Sequence, residues 1–314
     1  MMKATIVTAP TSTNGDAVFQ RICRASAFLI GILMLGIMLS LIMGAWPALQ
    51  HFGFEFFTSA QWNPVTEEFG ALNALYGTII SSVIAVALAL PISIGIAVFL
   101  SELCPQNWSR PIYIGIELLA AVPSIIYGMW GLFVFAPWFS QGFQLWAGQH
   151  LAGLPLIGGM FQGPPMGVGL LTAGIILAFM ILPILTSLIK EALSTLPNVL
   201  REASYGIGAT QFEVIVHVLL PAIKGPIFGA LILALGRALG ETMAITFVIG
   251  GAQSISSSLF MPATSIAATI AEQFNEATGA LQISSLIGLG LVLFMITFIV
   301  MGVARILLRR SAQQ

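Results

Sequence analysis

Six apolar runs, each long enough to cross a bilayer, constrain this chain more than any other feature. They fall at roughly 26–46, 75–100, 112–138, 167–189, 226–250 and 283–305. About 20 apolar residues span the hydrocarbon layer as a helix. Backbone groups in lipid must be bonded within the segment, so these runs are expected to be helices. Strands of a barrel would alternate apolar and polar residues instead. The first run, Ser26 to Trp46, is longer than the core of a signal peptide, and no small-x-small pattern precedes Pro47. It reads as a retained transmembrane helix.

Composition agrees with the runs. Charged residues make up 7% of the chain and apolar ones 58%. So few charges cannot cover a soluble protein of this size. The net charge of −1 points neither to nucleic acid nor to a polybasic lipid anchor. The basic residues also set the orientation. Lys3, Arg21, Arg24, Arg110, Lys190, Arg201, Lys224, Arg305, Arg309 and Arg310 all fall in or beside segments on one side. Arg237 falls within the fifth run. By the positive-inside rule that side is cytoplasmic, and an even span number places both termini there. A five- or seven-span reading would spoil the partition. Cys23 and Cys104 then lie on the reducing side and read as free thiols.

The expected organisation is a polar N-terminal tail over 1–25, a six-span domain over 26–308 and a short C-terminal tail over 309–314. The outer loops cover about 47–74, 139–166 and 251–282. Trp46, Trp62, Trp138 and Trp146 in or beside them fit interfacial anchoring. The same loops carry Glu55, Glu67, Glu68, Glu272 and Glu276.

The longest cytoplasmic loop, about 190–224, has helical signals of its own. Pro197 suits a first helical position, and Gly206 or Gly208 can end a short helix. Thr210-x-x-Glu213 is a capping-box pattern for a second helix, closed by Pro221. Phe212, Ile215, Val216 and Leu219 recur at helical spacing. Periodicity alone allows an interfacial helix lying on the bilayer or a docking element for a soluble partner. The residues Glu202-Ala203-Ser204, Gly208 and Val218-x-Leu220-Pro221 resemble the EAA motif of ABC-importer permeases, with Ser204 and Val218 as mild departures. In that family the loop forms a coupling helix seated in a cleft of the nucleotide-binding subunit. No Gly-x-x-x-x-Gly-Lys-Ser/Thr loop is present, so any ATPase is expected on a separate chain.

Gly236-Arg237-Ala238-Leu239-Gly240-Glu241-Thr242 lies mid-way along the fifth run. An arginine at the centre of a bilayer costs about 2.5–3.5 kcal/mol on insertion scales. Glu241, four residues on, is expected on the same helical face. The pair is either a mutual neutralisation or part of a pathway. Leaving both charges out would cost less than pairing them, which favours the pathway. Gly236 and Gly240 form a Gly-x-x-x-Gly ridge that admits a neighbouring helix. A guanidinium is a planar fork of donors suited to an oxyanion such as phosphate. Arg237 is therefore expected to meet an anionic solute while Glu241 holds it in the empty state. In the third run Pro123 removes the amide that Leu119 would accept, so a kink is expected. Ser124 and Tyr127 then either face the same interior as Arg237 or belong to an ordinary packing helix.

Val-Pro-Ser-Ile-Ile-Tyr-Gly at 122–128 and Gly-Arg-Ala-Leu-Gly-Glu-Thr-Met-Ala at 236–244 together resemble the permease subunits of the bacterial phosphate-specific ABC transporter, the C-type subunit in particular. The resemblance implies an all-α type I importer permease in the bacterial inner membrane. It implies a homologous permease subunit, two ATPase subunits and a periplasmic phosphate-binding protein as partners, alternating access driven by ATP, and no cofactor. On that basis the pathway residues are Arg237, Glu241, Thr242, Ser124 and Tyr127, and the ATPase-coupling residues are Glu202, Ala203, Gly208, Leu220 and Pro221. A permease for sulfate or molybdate is the near alternative, since arginine alone does not distinguish oxyanions. A secondary anion transporter is the further one, with only Glu117 and Glu241 as acids in the spans. A membrane enzyme fits poorly. The single aspartate, Asp16, lies in the polar tail, and no metal or nucleophile–base cluster is visible.

Overall fold

In the computed structural model, residues 14–155 and 158–311 are described. Lys3 lies outside them, as do the side chains of Arg309 and Arg310. Helix α1 covers Asn14–Phe52, so helix begins well before the apolar run and takes in much of the polar tail. A short α2 (Glu55–Thr58) and a two-residue hairpin follow, with β1 (Trp62–Asn63) antiparallel to β2 (Glu68–Phe69). Helix α3 covers Leu72–Val98 and continues as a π-turn to Leu103. The third apolar run is divided into α4 (Gln106–Ala120) and α5 (Ser124–His150), which meet at 91°. The fourth run is α6 (Leu170–Ser194). The loop after it holds α7 (Asn198–Gly206) and α8 (Gln211–Ala222). The fifth run is divided into α9 (Lys224–Leu239) and α10 (Met243–Ile249). Helix α11 (Ile266–Gln273) caps the outer end, and α12 (Ala280–Ser311) completes the described chain.

Among the described residues four helices are long and apolar enough to cross a membrane on their own, and up to six when each bent pair is counted as one span. The all-α architecture expected from the six runs is present. Proline and glycine bring the breaks. Pro123 produces a full interruption of the helix rather than a kink.

Helix α6 is the centre of the molecule. Ile176, Leu177, Ile181, Leu185, Ile189 and Leu193 on it are all buried. Its neighbours meet it with small residues: Ala85 and Ala89 of α3, and Ala230, Ala234 and Ala238 of α9. Alanine at every fourth position gives α9 one flat face that packs against α3 and α6. A second core at the outer end joins Phe56, Trp62, Phe69, Ile266, Leu286 and Leu289. Trp62 is therefore not an interfacial anchor. It is 6% exposed, edge-on to Phe69, and its indole N–H donates to Gln273 Oε1 at 2.7 Å. The hairpin folds it inward, which its sequence position did not show. Trp46, Trp138 and Trp146 are half or more exposed, as anchors require.

The loop between α6 and α9 forms two helices about a glycine, as its signals predict. Gly208 sits at φ +89, a region where a Cβ is disfavoured. Pro197 is one residue earlier than expected, at the N-cap of α7. The capping box is complete: Thr210 Oγ1 accepts from the Glu213 amide, and Glu213 Oε2 accepts from the Thr210 amide at 2.8 Å. That backbone bond, then the Thr210 hydroxyl, holds the Glu213 carboxyl below its ordinary range, with a smaller contribution from His217. A depressed folded value stabilises the cap above the unfolded carboxylate range, and the effect is lost as pH falls through the folded value. Hydrogen exchange at the amides of 211–216, corrected for intrinsic rates, is expected to accelerate on acidification through that range. The Glu213→Gln protein should show no such step.

Candidate functional site

The two interrupted helices meet at their breaks. Helix α5 starts directly after Pro123, and α10 starts directly after Gly240–Thr242. The two pack on each other through small residues. A Cβ added at Gly128 would lie 2.9 Å from Ala244 Cα and 3.0 Å from its carbonyl oxygen. One turn further, a Cβ at Gly131 would lie 2.9 Å from Val248. Gly128 and Gly131 share a helical face, so they form the groove that seats α10. The segment 122–128 and the segment 236–244 are thereby brought side by side.

Each break exposes backbone groups that need partners. Leu119 has lost the amide that a residue at 123 would donate. Its carbonyl instead accepts from the Tyr127 hydroxyl at 2.8 Å and from the Val122 amide at 3.3 Å. At the second break the Ala244 amide donates to Glu241 Oε1 at 3.2 Å. Thr246 returns its hydroxyl to the Thr242 carbonyl at 2.7 Å. The far end of α10 is fastened by the Gly169 amide to the Val248 carbonyl at 2.9 Å and by the Ala263 amide to the Ile249 carbonyl at 3.0 Å.

Arg237 and Glu241 do not pair, contrary to the shared helical face expected for them. Helix α9 ends at Leu239, so the i,i+4 geometry ends with it, and the carboxylate turns to α10. Arg237 flanks the alanine face of α9, about 60° round the helix from Ala234, in line with the exposed Leu233 one turn before. It is exposed in the isolated chain and lies within Coulombic range of Tyr127. At 1.5 Å per residue it is roughly 20 Å along α9 from Lys224. Ser124 and Thr242 are half-buried beside the breaks. Among the described residues no other helix backbone lies within 4 Å of a Cβ built on the Gly236–Gly240 ridge. Only Met301 of α12 approaches Gly236, at 3.4 Å from a built Cβ, and Gly240 meets only its own helix. The close approach occurs at Gly128 instead, a glycine to which the sequence pattern gave no special weight.

The EAA-like loop is tied to the end of α3 by a residue that sequence reasoning missed. Glu102 in the π-turn forms an ion pair with Arg201 of α7 at 2.7 Å, and both side chains are largely buried. The carboxylate, through hydrogen bonding first, holds the guanidinium pKa above its ordinary value. Arg201 also donates to the carbonyls of Leu193 at 3.2 Å and Leu196 at 3.3 Å, closing the end of α6. Gln211 of α8 donates to the Glu102 carbonyl at 3.1 Å. Glu202 and Ala203 are exposed on the opposite side, with Tyr205, Ile207 and Phe212 nearby. Ser204 is buried and donates to the Leu200 carbonyl at 2.7 Å, which is how a hydroxyl is accommodated in place of the motif's second alanine. Gly208 makes the turn between α7 and α8, while Leu220 and Pro221 lie in the last turn of α8 before its 66° bend into α9.

A profile of the binding-protein-dependent transport system inner membrane component family matches residues 93–313, which contain both breaks and the loop. The chain belongs to this family. It is 54% identical over 295 residues to the phosphate transport system permease protein PstC of Mesorhizobium japonicum, covering 94% of this chain and 90% of that one. It is 46% identical to the protein of the same name from Pasteurella multocida, covering 94% and 92%. Among solved structures, a chain of the bacterial alginate ABC transporter in complex with an alginate-bound periplasmic protein matches with a TM-score of 0.63 at 16% identity, over 94% of this chain and 96% of that one. A chain of the inward-facing MetNI methionine ABC transporter matches with a TM-score of 0.52 at 17% identity, over 75% and 93%. These likenesses show the fold of an ABC-transporter permease. The chain is a multi-pass transport subunit of the inner membrane.

The α5–α10 groove is closely packed, and its tolerance is measurable. Gly128→Val places methyl groups against the Ala244 backbone and is expected to cost about 1–3 kcal/mol of stability, as overpacking does. Gly115→Val on α4 has nothing within 4 Å of its built Cβ and should be close to neutral. Thermal unfolding of the two purified variants checks this. Glu102→Ala leaves the Arg201 guanidinium without its carboxylate and is expected to cost about 3–5 kcal/mol, seen as a lowered unfolding temperature.

Proposed function

We propose that this chain is the C-type permease subunit of an ATP-driven importer that carries inorganic phosphate from periplasm to cytoplasm by alternating access. The observation that carries the proposal is the junction of two broken helices with Arg237 beside it. Irregular backbone within a membrane is tolerated where it is buried in protein or lines a cavity. Discontinuous helices at such depth form the binding sites of many transporters. Arg237 offers a permanent charge and a bidentate fork to a phosphate oxyanion. The phosphate transport names of relatives at 54% and 46% identity agree with that chemistry.

The proposal assigns each residue a role. Arg237 meets the anion. Tyr127 and Ser124 line the same side, and Thr242 stands in the break. Glu241 acts as a positioning residue through the Ala244 amide, not as the resting partner of Arg237. The exposed face of α9 around Leu233 and Arg237 is completed by a homologous permease subunit, so each subunit supplies half of the pathway. Two separate ATPase subunits dock on α7, where Glu202, Ala203, Tyr205 and Ile207 are exposed. Gly208 turns the chain at the contact, and Leu220 and Pro221 pass the motion to α9 through its 66° bend. The Glu102–Arg201 pair makes α3 move with α7. Both termini are cytoplasmic by the distribution of lysine and arginine.

A periplasmic binding protein delivers the solute. The outer loops carry Glu55, Glu67, Glu68, Glu272 and Glu276, which repel a free anion. Burial holds the Glu272 carboxyl above its ordinary range. Delivery by a docked protein removes the need for steering.

Uptake of labelled phosphate by the assembled transporter tests the reading. Arg237→Gln, with assembly verified, is expected to lower uptake by about tenfold or more, the worth of one charge-assisted bond. Arsenate should compete in the unsubstituted complex and sulfate should not. Uptake unaffected by the substitution rejects Arg237 as the anion contact, and competition by sulfate alone moves the substrate to that class.

A further inference from the structure

A pair of cations faces a hollow outside the proposed pathway. At the start of α4 and the end of α6, a cavity of about 520 Å³ is lined by Gln106, Asn107, Ser109, Arg110, Tyr113 and Lys190. Arg110 and Tyr113 are three residues apart on α4 and share a face. The Lys190 ammonium rests 3.5 Å from the centre of the Tyr113 ring. That cation–π contact fixes the ammonium on the same side as the guanidinium. Neither cation has a carboxylate within 4 Å among the described residues. The acids in range of Tyr113 are Glu117, one turn further along α4, and Glu191, exposed on α6. The Ser109 hydroxyl is occupied by the Leu100 carbonyl at 2.7 Å, so it shapes the rim and does not contribute a donor. Gln106 and Asn107 are exposed there and carry amide donors. Trp108 beside them is 67% exposed, the placement of a side chain at the bilayer interface.

We propose that Arg110 and Lys190 form an oxyanion site that holds one phosphoryl group at the cytoplasmic end of α4 and α6. Two uncompensated cations on one wall, one of them with a planar donor fork, recognise a doubly charged or diester phosphate better than they recognise water. The group is supplied either by an anionic phospholipid headgroup or by free inorganic phosphate leaving the pathway. The chemistry at the protein is the same for both. The site does not involve Arg237 and stands whether or not the proposed pathway is right.

The test uses the assembled transporter carrying Arg237→Gln, so that binding in the pathway is removed from both arms. One arm measures labelled inorganic phosphate by equilibrium dialysis. The other counts phosphatidylglycerol retained in native mass spectra after extraction from vesicles containing it. The further substitutions Arg110→Gln and Lys190→Gln are expected to reduce binding by about tenfold or more in one arm, the effect of losing a charge-assisted bond. Loss in the lipid arm identifies a headgroup site, and loss in the dialysis arm identifies an exit site. Arg110→Lys, which keeps the charge, should retain more than the double substitution. If the double variant does not assemble, Lys190→Gln alone is measured with the same two outcomes. Unchanged binding in both arms overturns the assignment.

Discussion

Backbone amides and carbonyls inside a bilayer have no water to turn to, and two helices of this chain break within their apolar runs. That constraint organises the site. At the first break proline removes a donor, and the Tyr127 hydroxyl replaces it at the Leu119 carbonyl. At the second the Glu241 carboxylate receives the Ala244 amide. Each repair uses a side chain from the motif that causes the break. The polar residues at 122–128 and 236–244 are therefore partly structural, and the breaks persist because the repairs are local. A helix that stops in this way exposes a few polar groups at a fixed place without unravelling on either side.

Packing then decides which of those groups remain free. The alanine face of α9 is used on α3 and α6, and Arg237 on the flank of that face stays exposed. Gly128 and Gly131 let α10 lie directly on α5, which sets the Tyr127 and Arg237 side chains within electrostatic range. The backbone bonds to Val248 and Ile249 hold the far end of α10. The junction is thus held from both sides. The Glu102–Arg201 pair ties the end of α3 to α7.

The sequence determined the solvent and much of the plan. Runs of about 20 apolar residues leave helices as the economical structure, and the lysine and arginine distribution sets the expectation for their sense. The capping box at Thr210 and Glu213, the turn at Gly208 and a bend at Pro123 were legible because each is set by neighbours in the chain. The two motifs were legible as chemistry. Tertiary structure alone decided what depends on distant partners. It ended α9 at Leu239 and so separated Glu241 from Arg237, where helical periodicity pairs them. It drew Trp62 into a core through a hairpin too short to leave a pattern. It joined Glu102 to Arg201 across almost one hundred residues, and placed Gly128 against Ala244. Periodicity reports one helix at a time. Which face meets which helix, and which charge is left unpaired, is fixed only when the helices pack.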